Sequence, residues 1–326
     1  MRAPLPAVRP ILAAGGPHLP ALLERVEERL AHVAVGHGPT LGEHAAATIA
    51  AGGKRLRPLL VLLAAGPPAD DGEDLVRAAV AVELVHSATL VHDDVLDRAD
   101  LRRGRPTVWA LAGRGMAVAV GDLLFSRAFA ELALTGSLAA VRALSVASSA
   151  LAEGELLQRE DAWDGEVGIE RYLRRCELKT AALFGAAGEL GALQRGAPPE
   201  PLGAFGRLVG LAFQVLDDVL DVSGPPERTG KPRGADLLDG TVTLPFILAR
   251  ERDPALRRLD VRALEGPRAA AGVCERIAAT GALDDARERA LELVRCAKAG
   301  LGGAVLDEDQ RRALELVADS VVSRSS

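Results

Sequence analysis

The feature that most restricts the fold is a pair of acidic clusters set in apolar segments, "LVHDDVLD" and "FQVLDDVLDV". Both clusters have the spacing D-D-x-x-D, and their six acids are Asp93, Asp94, Asp97, Asp217, Asp218 and Asp221. At about 3.6 residues per turn, the first and last acid of each cluster lie on one face of a helix. The pattern therefore predicts two helices that each carry a stripe of carboxylates on an otherwise apolar surface.

Such stripes are costly unless something neutralises them. Carboxylates one turn apart repel each other, and an apolar environment raises their pKa. Mg²⁺ is a suitable counter-charge because it takes oxygen ligands and retains waters and phosphate oxygens in its shell. Two facing stripes would hold Mg²⁺ ions around a diphosphate. Two solvated acidic helix faces are the plainer alternative, which the Val and Leu residues beside both clusters disfavour.

The rest of the chain favours helices. It has 326 residues, of which 48% are hydrophobic and 3% aromatic, and Ala and Leu are strong helix formers. Apolar positions recur at spacings of three and four, whereas no alternating strand pattern exceeds about five residues. The sequence therefore predicts an all-α fold with residues 1–326 as a single domain, a large helical bundle.

Breaks at Gly and Pro divide this pattern into individual helices. The predicted helices cover residues 19–35, 41–51, 57–66, 75–97, 107–135, 137–159, 169–192, 200–222, 241–251, 268–281, 282–300 and 307–322.

Charge and cysteine content restrict partners and location. The net charge is -6, so no general basic field exists and nucleic acid is not an expected partner. No apolar run reaches the ~20 residues of a membrane span. Cys176, Cys274 and Cys296 are far apart, which is typical of reduced thiols. We expect a cytoplasmic protein without a transmembrane segment, able to contact a membrane surface transiently when its product leaves.

Local basic clusters accompany the acids. "GGKRLRP" supplies Lys54 and Arg57 after two glycines, which let the backbone approach an anion closely. The other basic candidates are Arg102, Arg103, Lys179 and Lys231. Each alone is a common surface charge. Together with the acids they predict two anion subsites, one at the metals and one formed by cationic side chains.

In this combination the chain resembles the trans-isoprenyl diphosphate synthases, also called polyprenyl synthetases. The similarity runs in order through "GGKRLRP", "HSATLVHDDVLD", "RRGRPT", "GDLLFSRAF", "ELKT", "FQVLDDVLD", "GKPRGADL" and "TLP". It implies helices around a deep central cavity, a homodimer, and Mg²⁺-dependent head-to-tail condensation of isopentenyl diphosphate with an allylic diphosphate.

The resemblance also implies roles for individual residues. The six acids of the two clusters would form the Mg²⁺ site. Arg102, Lys179 and Lys231 would hold the allylic diphosphate. Isopentenyl diphosphate would be held by Lys54, Arg57, His86 and Arg103. Thr180 and Gln214 would lie beside the forming cation. One departure is Thr241, because many short-chain members have a lysine there.

Product length should depend on the residues one turn before Asp93. Ala88 and Thr89 are small here, whereas short-chain members often carry an aromatic floor at one of these positions. Phe125 and Phe129 are candidates for a deeper floor, or are plain core residues. We predict an all-trans product in the heptaprenyl to decaprenyl range.

Three alternatives stay open at this point. One is a shorter product, geranylgeranyl or farnesyl diphosphate, with a plug from another helix or a partner copy. A class I terpene cyclase would also use an acid-rich helix, but the chain lacks its second metal motif. A non-catalytic regulatory subunit would be expected to lose acids, and all six are present.

Overall fold

The computed structural model describes residues 9–102, 104–225 and 232–323. Within these ranges the chain is almost entirely helical, with one short antiparallel pair of strands in which Leu101 pairs with Pro106. From the N-terminus to residue 194, the elements are α1 (Arg9–Ala14), α2 (His18–Val33), α3 (Pro39–Ala50), α4 (Leu56–Ala65), α5 (Glu73–Leu96), β1 (Leu101–Arg102), β2 (Arg105–Pro106), α6 (Val108–Ala133), α7 (Leu138–Glu160), α8 (Ile169–Cys176), a π-helical turn (Glu177–Ala181) and α9 (Ala182–Gln194).

The remaining elements are again helices. They are α10 (Glu200–Ser223), α11 (Ala235–Leu238), α12 (Leu244–Arg252), α13 (Pro254–Arg257), a 3₁₀ turn (Val261–Ala263), α14 (Gly266–Ala279), α15 (Ala282–Gly300), a second 3₁₀ turn (Leu301–Gly303) and α16 (Glu308–Val322).

The described chain divides into two compact units. The first unit contains the residues up to Ser148, together with Leu183–Gly206 and Gly300–Val317. The second unit contains Ser149–Ala182, Arg207–Ala299 and the residues from Ala318 onward. The acidic cluster of α5 belongs to the first unit and that of α10 to the second. The single-domain organisation remains a prediction.

The core of the first unit is built around α5. This helix packs against α2, α3, α4 and α6, and Val80, Val82 and Leu84 are fully buried. Glu73 and Asp74 lie in its first turn, where carboxylates interact favourably with the helix dipole. Because nearly every side of α5 is covered, the polar residues near its end are presented from a rigid support.

The chain reverses direction directly after α5. Thr107 precedes α6, and its hydroxyl donates to the Ala99 carbonyl (2.6 Å) while accepting from the Ala110 amide (3.1 Å). This side chain therefore caps α6 and fixes the hairpin of β1 and β2 at the end of α5. The hairpin carries Arg102 and Arg105 back to the end of α5.

In the second unit, α12 packs against α8, α13 and α14. Leu244, Phe246 and Ile247 of α12 are buried. The buried guanidinium of Arg175 donates to the Val242 carbonyl just before α12. This bond satisfies a buried backbone acceptor and ties the start of α12 to α8.

Two helices, α5 and α6, meet the length and hydropathy expected of a membrane span, contrary to the sequence expectation. In α5, 72% of the most apolar stretch of the helix is buried, whereas in α6 only 28% of the corresponding stretch is buried. Burial makes α5 a core helix of this protein. The exposed apolar surface of α6 includes Leu111 and Val118.

The all-α prediction is confirmed, and most predicted helices agree with the structure within a few residues. The differences have local causes. The predicted helix 169–192 contains the π-helical turn, because its apolar pattern continues through the extra residue. The helices α1, α11 and α13 and the β1–β2 hairpin were missed, since each is very short.

Helices α9 and α10 cross closely within the first unit, and the crossing requires glycine. A Cβ on Gly206 would lie 2.2 Å from the Phe184 carbonyl oxygen, and one on Gly188 would lie 2.1 Å from the Leu202 carbonyl oxygen. Backbone atoms cannot yield as a flexible side chain can. These two glycines therefore set the separation between α9 and α10.

We predict that Gly206→Ala lowers the free energy of unfolding by about 1–3 kcal/mol, because the crossing must open. The matched control is Gly115→Ala in α6, where an added Cβ meets nothing within 4 Å. The control should be neutral or stabilising by up to about 1 kcal/mol, from helix propensity. Denaturant titration of both variants measures the difference, and equal stabilities would contradict the packing argument.

Candidate active site

The first unit contains a cavity of ≈ 270 Å³ between α3, α5 and the hairpin. Its polar lining residues are His44, Thr48, Arg55, Glu83, His86, Ser87, Asp94, Arg102, Arg105 and Thr107. Arginines and histidines outnumber the acids in this lining. The cavity is therefore suited to an anion that carries several oxygens.

Arg55 anchors the "GGKRLRP" segment beside this cavity. Its guanidinium donates to Glu83 (2.7 Å), to Glu27 (2.6 Å) and to the Ile49 carbonyl (3.0 Å). Arg55 has a left-handed backbone conformation (φ 49°), which costs a non-glycine residue about 1 kcal/mol or more. Burial alone would lower the pKa of Arg55, but Glu27 and Glu83 raise it, so this cation is permanently charged.

Glu83 is the buried partner in this network. It is 4% exposed and lies on α5, one turn before His86. The Arg55–Glu83 pair therefore joins the glycine-rich segment to the helix that carries His86 and the first acidic cluster.

The three acids of α5 have different environments. Asp94 is buried and accepts a hydrogen bond from Arg102 Nε (2.6 Å). Asp93 is half-buried, and Asp97 is exposed at the C-terminal end of the helix. Arg102 thus lies beside the first acidic cluster, as an anion-binding role would require.

Lys54 and Arg57 do not line the cavity around His86. The Arg57 guanidinium lies 4.4 Å from the centre of the Phe184 ring, a cation–π contact. Lys54 is half-buried in the loop before α4. The structure therefore brings His86 together with Arg55, Arg102 and Arg105, and Arg57 stacks on α9.

The proposed chain-length positions have unequal access. Ala88 is fully buried, whereas Thr89 is half-buried and donates to the His86 carbonyl (2.9 Å). The Phe125 ring stacks on His92 at 5.8 Å between centroids, and Phe129 is half-buried farther along α6. Thr89 is thus the more accessible of the two small positions, and the role of all four stays a prediction.

The second acidic cluster also divides by burial. Asp217 is exposed and Asp221 half-buried, but Asp218 is 2% exposed. Asp218 Oδ2 accepts from the Tyr172 hydroxyl (2.6 Å), and Oδ1 accepts from Gln214 Nε2 (2.8 Å). Burial, followed by the negative charge of Asp236, raises the pKa of Asp218 to about 8 despite these donors.

Lys179 and Thr180 lie in the π-helical turn between α8 and α9. Such turns widen a helix locally and are frequent at functional sites. Lys179 pairs with Glu155. Burial alone would raise the pKa of Glu155, but Lys179 and Arg159 hold it below its usual value. The Thr180 hydroxyl donates to Gln214 Oε1 (2.7 Å), so these two sequence-predicted residues do come together.

Gly154 of α7 makes room for this turn. A Cβ at residue 154 would lie 2.6 Å from the Lys179 backbone nitrogen. The position of Lys179 and Thr180 therefore depends on a glycine that sequence reasoning had not singled out.

Three further sequence candidates complete the set. Thr241 is half-buried, and its amide donates to the Asp236 carbonyl (2.7 Å), so the expected lysine position is filled by a short side chain. Arg103 and Lys231 lie outside the described residues.

Sequence reasoning missed several functional candidates. Arg55 was quoted within "GGKRLRP" but given no role, and Glu83 is an isolated acid in the apolar run "AVELVHSA". A lone buried acid one turn from a candidate histidine is a usable signal. Arg105 lies within "RRGRPT" but was given no role, and Tyr172 gave no comparable signal, because its partner Asp218 lies 46 residues away.

The donor set fits a divalent cation shared with a ligand. Among the described residues, no three His, Cys, Asp or Glu side chains form a metal site by themselves. Each cluster nevertheless presents carboxylates at positions i and i+4, namely Asp93 with Asp97 and Asp217 with Asp221. Hard oxygen donors of this kind suit Mg²⁺, which completes its shell with water and phosphate oxygens.

Comparison with known proteins gives a consistent answer. A family model described as polyprenyl synthetase matches residues 39–278, which include both acidic clusters. Heptaprenyl diphosphate synthase component 2 of Geobacillus stearothermophilus is 45% identical over 231 residues, 70% of this chain and 72% of the relative. A short chain isoprenyl diphosphate synthase of Methanothermobacter thermautotrophicus is 37% identical over 312 residues, 92% of this chain and 94% of the relative.

Solved structures agree with the sequence matches. A decaprenyl diphosphate synthase from Rhodobacter capsulatus superposes with a TM-score of 0.89 at 35% identity, covering 98% of this chain and 100% of that one. A polyprenyl synthase from Caulobacter crescentus, in complex with calcium and isoprenyl diphosphate, has a TM-score of 0.87 at 36% identity and covers 100% of both chains. The resemblance inferred from the motifs is confirmed.

The Arg55–Glu83 pair gives a stability prediction. Arg55→Met should lower the free energy of unfolding by about 3–5 kcal/mol, because it leaves the Glu83 charge buried without its partner. Adding Glu83→Leu should recover much of that loss. Glu27→Gln is the control, since its side chain is 50% exposed and such pairs contribute about 1 kcal/mol or less. Denaturant titrations measure the free energy of unfolding of each variant. If Arg55→Met lowered it no more than Glu27→Gln does, the predicted role of the buried pair would be contradicted.

Proposed function

Because this chain belongs to the polyprenyl synthetase family, we propose that it lengthens an allylic diphosphate by head-to-tail addition of isopentenyl diphosphate. The reaction is a Mg²⁺-dependent prenyl transfer that adds five carbons per cycle. The observation that carries the proposal is the cavity in which His86, Arg102 and Arg105 converge beside Asp94 of the first acidic cluster.

The acidic clusters are the proposed metal ligands. Asp93, Asp94, Asp97, Asp217 and Asp221 would hold the ions, with Asp218 in the second cluster. The burial of Asp94 against Arg102 favours Asp93 and Asp97 as the more available acids of α5. When bound, divalent ions would offset the negative charge that develops on the departing diphosphate. The calcium complex of the Caulobacter protein supports a divalent-ion requirement, and Mg²⁺ is our proposal for this chain.

Cationic side chains would stabilise the same leaving group. Arg102, Lys179 and Lys231 are the proposed contacts to the allylic diphosphate. Arg102 and Lys179 are already held by Asp94 and Glu155 respectively, so their charges are oriented before a ligand arrives. Charges that are already oriented lower the activation barrier for loss of the diphosphate, because the side chains do not have to reorganise during the reaction.

The C–O bond of the allylic diphosphate breaks and leaves an allylic cation. Thr180 and Gln214 would offer oxygen dipoles to that cation. The double bond of isopentenyl diphosphate, held about 3–3.5 Å away, then attacks and forms the new C–C bond. Loss of a proton restores a double bond, and the departed diphosphate is the proposed base.

The second substrate would be held by the cationic pocket of the first unit. Lys54, Arg57, His86 and Arg103 are the contacts proposed from the sequence. The lining of the cavity adds Arg105, and Arg55 anchors the loop that precedes α4. A diphosphate with several acceptor oxygens would match this arrangement of donors.

For the product we propose an all-trans chain in the heptaprenyl to decaprenyl range. The Geobacillus and Rhodobacter relatives, named for heptaprenyl and decaprenyl products, support a long chain. The small side chain at the half-buried position 89 supports it as well. The short-chain Methanothermobacter relative keeps geranylgeranyl or farnesyl diphosphate as the alternative product.

We also propose a cytoplasmic homodimer. The apolar surface of α6, with Leu111 at 63% and Val118 at 38% exposure, would be covered by the same surface of a second copy. Large exposed apolar patches mark interaction surfaces, which supports an interface at this helix. Cys176, Cys274 and Cys296 are free thiols, which agrees with a reducing compartment. Contact with a membrane would be transient, during release of the apolar product.

The function is tested by incubating purified protein with Mg²⁺, labelled isopentenyl diphosphate and farnesyl diphosphate. We expect products of 35–50 carbons, which correspond to seven to ten of the five-carbon units proposed above, after phosphatase treatment and chromatography. Chelation of Mg²⁺ should abolish elongation, and added Mg²⁺ should restore it. A stop at twenty carbons would support the short-chain alternative.

Absence of elongation by the purified chain with every primer would contradict the proposed activity for this chain alone. The word "component" in the name of the Geobacillus relative makes a second test informative. Diphosphate binding without turnover, measured by calorimetry in Mg²⁺, would support a regulatory or partner-dependent subunit instead.

Thr89→Phe tests the chain-length hypothesis. A half-buried phenyl ring one turn before Asp93 should block the growing chain and shorten the product by several five-carbon units, while the first condensation continues. Ala133→Phe is the matched control, because residue 133 is exposed at the end of α6. Product sizing would contradict the hypothesis if both variants made the wild-type length.

A further inference from the structure

A continuous chain of hydrogen bonds crosses the interior of the second unit. It runs from the Tyr172 hydroxyl to Asp218 (2.6 Å), from the Gln214 amide to Asp218 (2.8 Å), and from the Thr180 hydroxyl to Gln214 Oε1 (2.7 Å). Tyr172 is the single tyrosine of the sequence and is fully buried. The chain therefore connects α8, α10 and the π-helical turn.

The donors and acceptors of these bonds give the chain one direction. Gln214 Nε2 donates to Asp218 Oδ1, so the NH₂ group of Gln214 faces Asp218. The Gln214 carbonyl oxygen then faces Thr180 and accepts from its hydroxyl. The Thr180 proton is thereby committed to Gln214, and the lone pairs of Thr180 Oγ1 remain for another partner.

Asp218 differs from the other buried acids of the described residues. Glu83, Asp94, Glu131 and Asp161 each pair with at least one arginine. Within the described part of the chain, the hydrogen bonds to Asp218 come from the neutral donors Tyr172 and Gln214. Both carboxylate oxygens are occupied by these bonds, and the residue is 2% exposed.

We propose that Asp218 and Tyr172 are positioning residues that orient the Gln214 amide, so that Thr180 presents an electron-rich oxygen to the allylic cation. The inference rests on the proposed function. It assigns Asp218 a different task from Asp217 and Asp221, which remain the proposed metal ligands of this cluster. It also gives a role to Tyr172, which the sequence motifs leave unassigned.

The physical benefit is a dipole of fixed sign. A hydroxyl that rotates freely can point its proton at the cation, which is repulsive, or its lone pairs, which is attractive. The hydrogen bond to Gln214 keeps the Thr180 hydroxyl proton pointed away from the cation, so the repulsive arrangement is removed before the cation forms. Asp218→Asn would remove this control, because an asparagine side chain can donate as well as accept and so permits the Gln214 amide to reverse.

The test compares kcat, KM for both substrates and the half-saturating Mg²⁺ concentration. Asp218→Asn should lower kcat roughly tenfold or more, and Tyr172→Phe should lower it roughly threefold to tenfold, because each weakens a hydrogen bond that holds the Gln214 amide in place. Neither should change the half-saturating Mg²⁺ concentration or KM by more than about twofold. Asp217→Asn, a change at a proposed ligand, should raise the Mg²⁺ requirement.

Two further comparisons separate positioning from general stability. The double variant Tyr172→Phe/Asp218→Asn should be no slower than Asp218→Asn, since both act through the same amide. Thr180→Val should lower kcat as Asp218→Asn does, and Thr180→Ser should restore most of it. Thr280→Val is the matched control, because the Thr280 hydroxyl bonds the Ile277 carbonyl at a helix end and should leave kcat unchanged.

An increase in the Mg²⁺ requirement of Asp218→Asn to the level of Asp217→Asn would overturn the proposal, since it would make Asp218 a ligand. Unchanged kcat in Tyr172→Phe and Thr180→Val would also overturn it. If Asp218→Asn fails to fold by circular dichroism, the conservative Tyr172→Phe and Thr180→Ser variants decide the matter. Absence of elongation by wild-type protein would instead contradict the proposed function itself, together with this inference.

Discussion

Burial of carboxylates on apolar helices is the constraint on which the site depends. A charged group removed from water is tolerated when donors or opposite charges surround it. Among the described residues, the buried acids are Glu83, Asp94, Glu131, Asp161 and Asp218. Each accepts from at least one donor that belongs to another element of the fold. The need to satisfy these acids therefore fixes how α5, α6 and the second unit's helices hold their polar side chains.

The same requirement links stability to the proposed chemistry. Arg55 is held by Glu83, Arg102 by Asp94 and Lys179 by Glu155. These cations do not have to be gathered when an anion binds, because their orientation is already part of the folded state. Asp218 is held instead by hydrogen bonds from the neutral donors Tyr172 and Gln214. These bonds set the direction of the neighbouring dipoles.

Much of the architecture could be predicted from local pattern. The ranges 75–97 and 282–300 agree closely with α5 and α15, because Gly and Pro breaks and acidic first turns mark their ends. The π-helical turn was missed, since one inserted residue barely changes an apolar pattern. The sequence predicted no transmembrane segment, yet α5 and α6 meet the length and hydropathy of a span, because these two properties alone do not separate a buried helix such as α5 from a membrane span. Burial in the folded chain makes that distinction.

The candidate site, like the fold, was determined partly by local sequence and partly by tertiary structure. Sequence by itself determined the helical class and the two acidic stripes, because spacing within a helix is a local property, and the order of the motifs implied that Thr180 and Gln214 lie at one site. Tertiary structure decided which acids are accessible, since Asp94 and Asp218 are covered by residues distant in sequence. It also brought Arg55, Glu83 and Tyr172 next to residues of the candidate site. Their partners lie 28 or 46 residues away, and packing alone sets those distances.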